Sequence, residues 1–362
     1  MRQFNTSGPN IPAEHYSLPR LDWIERGKEL IYKKRYFTIW APRQTGKSTY
    51  FRFLGEALQK EGYKVCHVNF ESFKAVSEAD FLIQLGIDLF EQWGLSFDVG
   101  SIVSLFGQIQ QVRNGKMVLI VEGIDEINET YLWTLLSSIR SAFQSRQDHA
   151  LKSVILSGVS NIIRNAPNDR IPFNIGDDFD LPYFSHEETR ALLEQHEHET
   201  GQLFEEKVKN KILEITANHP SLVNGLAGKL VQNFPNKPTL DYADYLRVEK
   251  AYLEEGMGKN GSHIIEKAQE YRLFLERLLF IDGQESFSMY QKRTKELFEH
   301  GLISRHKDSH IVFKVPLYQK YLHTVFNTRL NKVQENIHFK DNLNKSDSLN
   351  LDKVVTEYKL DF

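Results

Sequence analysis

The sequence predicts an α/β fold, a parallel sheet covered by helices on both faces, followed by an α-helical region and a small helix–helix–hairpin–helix module. Three observations predict it. Short apolar runs, YFTIW (36–40), VCHVNF (65–70), MVLIV (117–121) and SVILSG (153–158), alternate with helical stretches. No tight hairpin signal joins those runs, so parallel pairing with helical crossovers is the natural connection. After residue 184 the pattern turns helical and stays so to about 256.

Composition allows this size of fold. The chain has 362 residues, 41% hydrophobic and 26% charged, enough to bury a sizeable core. At roughly 100–200 residues per domain it holds two domains and room for a small third. Cys66 is the only cysteine, which excludes an intrachain disulfide framework. A formal net charge of −3 excludes a surface coated in positive charge, though not a local basic face. The opening MRQFNTSGPNIPAEHY lacks the apolar run of a signal peptide, and no stretch reaches the ~20 apolar residues of a membrane span. A cytoplasmic protein with no membrane partner is expected.

The elements follow in order. Residues 1–20, with Gly8-Pro9 and Ile11-Pro12, read as an extended arm. Asp22 is expected to cap a helix over 23–34, ahead of strand 36–40 and a helix over 47–61 that stops at Gly62. Strand 65–70 precedes two helices within 77–113, closed by Asn114-Gly115. The run 117–121 is the most continuous apolar segment and reads as a buried parallel strand. A helix over 128–146 leads to strand 153–158. Ser185 and Glu188 form a capping box, and helices are expected over 206–217, 221–233 and 240–255. GMGKNGS (256–262) reads as a hinge. Helices at 263–280 and 288–299, a hairpin over 300–315 and a helix from Pro316 fit a winged-helix module. The domains expected are an arm (1–20), a core (21–184), a helical lid (185–256), a winged-helix domain (257–330) and a polar, flexible tail (331–362).

The chemistry concentrates in APRQTGKST, Ala41 to Thr49, which matches A/G-x-x-x-x-G-K-S/T between a strand and a helix. Ala41, Pro42, Arg43, Gln44, Thr45, Gly46, Lys47, Ser48 and Thr49 form the candidate nucleotide loop. Backbone amides from Gln44 to Ser48 can curl round a β-phosphate at the positive end of the helix dipole. Gly46 lets the chain approach where a Cβ would clash. Lys47 brings a cation to the β- and γ-phosphates, the Ser48 hydroxyl can ligate Mg2+, and Thr49 sits for an α-phosphate contact. ATP and Mg2+ are the ligands this pattern suits.

A magnesium-nucleotide site also needs a carboxylate at a neighbouring strand end and a second one to activate water. VLIV runs into Glu122-Gly123-Ile124-Asp125-Glu126. Glu122 takes the metal position, with Ser48, and Gly123 stands where the base is expected. Asp125 and Glu126 are near enough to substitute, or else they cap the next helix. Losing a general base typically costs about 10²–10⁴ in rate. Slow hydrolysis of ATP to ADP and phosphate, or binding without turnover, is therefore expected. Ser157, Ser160 and Asn161 share the carboxyl edge of the sheet, and Ser157 or Asn161 is a candidate γ-phosphate sensor, with Arg164 a weaker one.

These residues resemble the AAA-like P-loop ATPases near the STAND and archaeal-ATPase groups, specifically a bacterial AAA-like domain family. The likeness runs through FNTSGPNIPAEHYSLPRLD, WAPRQTGKST, VLIVEGIDEI, SVILSGVSNI, IPFNI, FSHEETRALLEQHEHETGQLF and NHPSLVNGLA. It implies a P-loop NTPase sheet in which the 153–158 strand lies between the phosphate-loop and acidic strands, bringing Lys47, Glu122 and Ser157 to one edge. It implies that the arm round Asn5, Gly8, His15 and Tyr16 lies near the adenine, an arm packed on the core being the alternative. His219-Pro220 stands where relatives have a glycine-x-proline turn, with Asn218 replacing the glycine. Relatives usually carry Asp-Glu at Glu122-Gly123. A homo-oligomer or a protein partner is also implied, since related ATPases often complete the site with a neighbour's arginine.

Other signals weigh less. His186-Glu187 lacks the second histidine of a zinc-peptidase helix, because Arg190 occupies its place. His196 and His198 read as solvated surface histidines, and Cys66 as a small core residue. Lys292, Arg293, Lys295, Arg305, His306 and Lys307 give 288–315 a basic face that could hold DNA, or else the module packs within the protein. A nucleotide-driven switch, a non-hydrolysing ATP-binding scaffold and a DNA-binding regulator are the three functions to separate.

Overall fold

The computed structural model describes residues 1–71, 73, 76–162, 176–281 and 285–327. Arg164, IPFNI (171–175) and the tail 331–362 lie outside the described residues. Five strands form the main sheet: β1 (Phe37–Trp40), β2 (Lys64–Asn69), β3 (Met117–Glu122), β4 (Leu151–Gly158) and the short β5 (Asp177–Asp178). Their order is β2-β3-β4-β1-β5 and every pairing is parallel. The 151–158 strand thus lies between the phosphate-loop strand and the acidic strand, as the resemblance implied.

β3 is buried along its whole length, which is why it reads as an unbroken apolar run. Its residues alternate between two cores. Val118 and Ile120 pack with Ile39, Phe51, Leu54 and Ile155 beneath α1 (Leu21–Tyr32) and α2 (Lys47–Lys60). Leu119 and Val121 pack on the other face with Cys66, Leu85 and Leu136, beneath α3 (Glu78–Trp93), α4 (Ile102–Ile109) and α5 (Glu129–Gln144). Cys66 is a fully buried core residue, as expected.

The remaining helices are α6 (His186–Thr200), α7 (Glu206–Thr216), α8 (Pro220–Asn233), α9 (Tyr242–Glu254), α10 (Gly258–Glu270), α11 (Arg272–Phe280) and α12 (Lys292–Glu299). Two-residue strands β6 (Leu203–Phe204) and β7 (Thr239–Leu240) pair in parallel. β8 (Ile303–Arg305) and β9 (Ile311–Phe313) form an antiparallel hairpin, followed by helix α13 over 316–327. Leu226 and Tyr245 share one core with Leu297, Leu302 and Phe326, so the two helical regions pack as a single mass.

Several expectations need correction. Asp22 lies inside the first turn of α1, and Arg20, at φ 53, holds the N-cap position without a side-chain cap. The expected helix 263–280 is two helices meeting at Tyr271, and the first begins at Gly258, within the stretch read as a hinge. The glycines there serve close approach: a Cβ on Gly261 would lie 1.8 Å from the Gly256 carbonyl oxygen. His196 is not a surface residue. It shares the buried face of α6 with Leu192 and Leu193, one turn apart, and the arm covers it: Tyr16 Oη lies 3.1 Å from His196 Nδ1. His198 is exposed, as expected. Asp125 and Glu126 do not cap α5, because the Asn128 side chain does.

Candidate active site

The site forms where β1 ends and α2 begins. The chain reverses through Gln44 at φ 62 and Gly46 at φ 93, both left-handed. Gly46 is required by that φ alone, since the space beside it is open. Thr45 Oγ1 donates to the Pro42 carbonyl (2.9 Å) and the Ala41 amide to the Gly158 carbonyl (3.2 Å), tying the loop to β4. α2 begins with no side-chain cap and no acidic residue in its first turn. Its first amides and its dipole therefore present positive potential to the loop.

Lys47 is buried, and its Nζ donates to the carbonyls of Ala41 (2.8 Å) and Pro42 (2.9 Å). Burial lowers its pKa, and the negative charges of Glu122, Asp125 and Glu71 oppose that shift. The lysine is thus a cation held by exchangeable carbonyl acceptors, ready to turn to a phosphate.

Ser48 Oγ donates to Glu122 Oε1 at 2.8 Å, and Glu122 Oε2 lies 3.0 Å from His67 Nε2. Burial would raise the Glu122 pKa, but His67, the Ser48 hydroxyl and Lys47 together hold it below the ordinary carboxylate value. An ionised carboxylate and a hydroxyl facing each other form a hard-oxygen pair of the kind Mg2+ takes. Sequence reasoning missed His67. Its signal was the alternation of β2, which sends residue 67 to the same side as Val65 and Asn69.

Ser157 pairs in register with Glu122 on one side and Ile39 on the other, so Lys47, Glu122 and Ser157 meet at one sheet edge. Its buried hydroxyl has no hydrogen-bond partner among the described residues. Asn161 is buried just beyond.

The two carboxylates considered for the base position both have partners at the site. Asp125 Oδ2 accepts from the amides of Val159 (3.0 Å) and Ser160 (2.9 Å), and Glu126 pairs with Arg43 at 2.8 Å. Gly123 has φ 76, and a Cβ there would lie 2.7 Å from the Glu71 amide nitrogen. A side chain at position 123 would therefore be strained and would force the neighbouring backbone to shift.

A cavity of about 800 Å³ opens beside the loop, between Gly46–Thr49, the arm from Asn5 to Asn10, and residues of α8 and α10. The Asn10 amide donates to Thr49 Oγ1 (3.0 Å), so that hydroxyl is engaged with the arm. Asn5 and Gly8 line the cavity, whereas Tyr16 is packed in the helical core against Phe4 and His196. Pro220, Ser221 and Asn224 reach the cavity from α8, while His219 is buried between Tyr183 and Tyr318. Ala217 and Asn218 adopt φ 47 and 58, which a glycine would adopt more easily, and Asn218 Oδ1 accepts from Thr189 Oγ1 (2.9 Å).

The model of the AAA-like domain family matches residues 25–324. The chain belongs to that family. Solved structures share its fold. The Walker-type ATPase PABY2304 of Pyrococcus abyssi superimposes with a TM-score of 0.66 at 11% identity, covering 88% of this chain and 99% of that one. The ORC2 protein of Aeropyrum pernix, solved as ADPNP-ADP complexes, gives 0.51 at 13% identity, covering 86% and 95%. No curated protein matches the sequence. The fold is thus that of a P-loop NTPase. Among the described residues no helix is long and apolar enough to cross a membrane.

Proposed function

We propose that this AAA-like protein binds ATP with Mg2+ at residues 41–49, hydrolyses it slowly, and works as a conformational switch for a protein partner or a second copy of itself. The observation that carries this reading is the Ser48–Glu122 hydrogen bond beside the uncapped start of α2 and the buried Lys47. Ser48 and Glu122 would hold the metal, which neutralises phosphate charge and orients the γ-phosphoryl group when bound. Lys47 would leave the Ala41 and Pro42 carbonyls for the phosphates, and Ser157, whose hydroxyl has no partner among the described residues, would sense the γ-phosphate.

The lid (185–256) and the winged-helix module (257–330) are the parts proposed to respond, with the core at 21–184 and the arm at 1–20. Two contacts support the coupling. Glu299 of α12 is hydrogen-bonded by the Asn161 backbone and the Ser160 hydroxyl, beside the proposed sensor. A Cβ on Gly301 would lie 2.8 Å from Pro42 Cγ, so the module rests on the phosphate loop itself.

Isothermal titration with MgATP tests the site. The wild type should bind and Lys47→Ala should lose binding and turnover; ATP affinity and phosphate release both surviving that change would sink the assignment. A second reading, ATP as a structural ligand without turnover, is favoured by Gly123 and by the engaged Asp125 and Glu126. It predicts no phosphate release alongside a raised melting temperature with ATP. Binding of DNA through 288–315 has weaker support. Arg293 stacks on Phe274 at 3.6 Å, and Lys292 lies 3.7 Å from Glu296, so part of the basic face serves packing.

A further inference from the structure

We propose that Glu71, at the carboxyl end of β2, is the general base that activates the attacking water, in place of the carboxylate that Gly123 cannot carry. This deepens the ATPase reading above and rests on it.

Three observations place the function there. First, the space beside Gly123 is filled by the chain at residue 71: a Cβ at 123 would meet the Glu71 nitrogen at 2.7 Å, the Phe70 carbonyl carbon at 3.0 Å and the Glu71 Cα at 3.1 Å. The backbone at the end of the neighbouring strand occupies the volume that a side chain at 123 would use. Its position is held by two hydrogen bonds: the Phe70 amide donates to the Glu122 carbonyl (2.8 Å) and the Glu71 amide to Asn69 Oδ1 (2.9 Å).

Second, Glu71 lines the large cavity together with Lys47, Ser48 and Glu122, and also the small one enclosed by Arg43, Asp125, Glu126 and Gly158. Residue 71 therefore stands at the junction between the phosphate loop and the acidic strand. Its charge acts on the Lys47 ammonium and on His263 across the cavity. Third, Glu71 is exposed, unlike Glu122, so water can reach its carboxylate. Asp125 and Glu126 are held by the amides after β4 and by Arg43.

The step balances without a further reactant. A water between Glu71 and the γ-phosphorus gives its proton to a Glu71 carboxylate oxygen as its own oxygen bonds to phosphorus. The bond from that phosphorus to the β–γ bridging oxygen breaks, and ADP leaves with the electron pair. Glu71 then passes its proton to solvent.

The test uses the full chain with MgATP, measuring affinity by titration calorimetry and phosphate release in parallel. Glu71→Gln should lower turnover by about 10²–10⁴ while the Kd for MgATP stays within about threefold of wild type. Glu71→Ala should lose turnover likewise and regain part of it on adding formate, a small carboxylate that can enter the vacated space. A purely structural role would lower affinity and melting temperature and would not respond to formate. Wild-type turnover in both variants overturns the proposal, as does a joint loss of binding and turnover without formate rescue. A wild type that binds MgATP through Lys47 but never releases phosphate overturns it too, leaving the nucleotide site standing. Failure of the wild type to bind MgATP overturns the ATPase reading itself.

Discussion

Glu122 is the residue on which the proposed metal site depends, and its surroundings explain why a glutamate works there. The carboxylate is buried, yet Ser48 and His67 each reach one of its oxygens. Glu122→Gln keeps the size but removes the charge, so the Mg2+ dependence of ATP binding should fall sharply; a titration against Mg2+ at fixed ATP checks this. Gly123→Ala should destabilise the fold by about 1–3 kcal/mol, because φ 76 is strained for any side chain and the new Cβ meets backbone. Thermal unfolding of the variant measures it. At this scale the phosphate loop was legible because its residues are contiguous and each does a local job. Glu71 was not, because only the pairing of β2 with β3 brings it to Gly123. The same holds for His67. For the acidic candidates, spacing placed Asp125 near the site, and the fold adds that its carboxylate accepts from the Val159 and Ser160 amides.

Among the elements, the four long strands and most helices were legible from hydrophobic period, and the place of β4 between β1 and β3 followed from resemblance. Tertiary contacts decided the errors. The split at Tyr271 lies within one apolar pattern, and α10 starts early because Gly261 lets it close against Gly256. β5, β6 and β7 have two residues each, too short for any period to register. The arm shows how an extended element is fixed without a helix or sheet of its own. Tyr16 is buried with its hydroxyl 3.1 Å from His196, and His196 reaches Gln202 at 3.1 Å. Tyr16→Phe should cost about 1 kcal/mol by chemical denaturation, the worth of one hydrogen bond. The same change should leave the cavity-lining residues 5–10 less ordered, read as faster amide exchange there.

For the molecule as a whole, buried histidines set an acid limit. Burial, with the nearby charge of Lys314, lowers the His219 pKa to about 3, and burial with neighbouring cations lowers that of His300 to about 4. Both are neutral in the fold and take up protons more readily when unfolded, where the ordinary value is about 6.5. The unfolded state therefore binds more protons below that value, and stability falls as the pH drops from about 6.5 toward the folded values. The contribution from His219 should approach about 1.4 kcal/mol per pH unit within that window. His219→Gln should flatten the slope of melting temperature against pH between 4 and 6.

The contact between Gly301 and Pro42 has a mechanical consequence. Pro42 also supplies one of the two carbonyls that hold the resting lysine. In the proposed nucleotide-bound state the ammonium would leave that carbonyl for a phosphate, and the proline ring carrying it is the surface that Gly301, just before β8, approaches. Occupancy would then be felt at the turn into the hairpin, like a pressure plate under a foot.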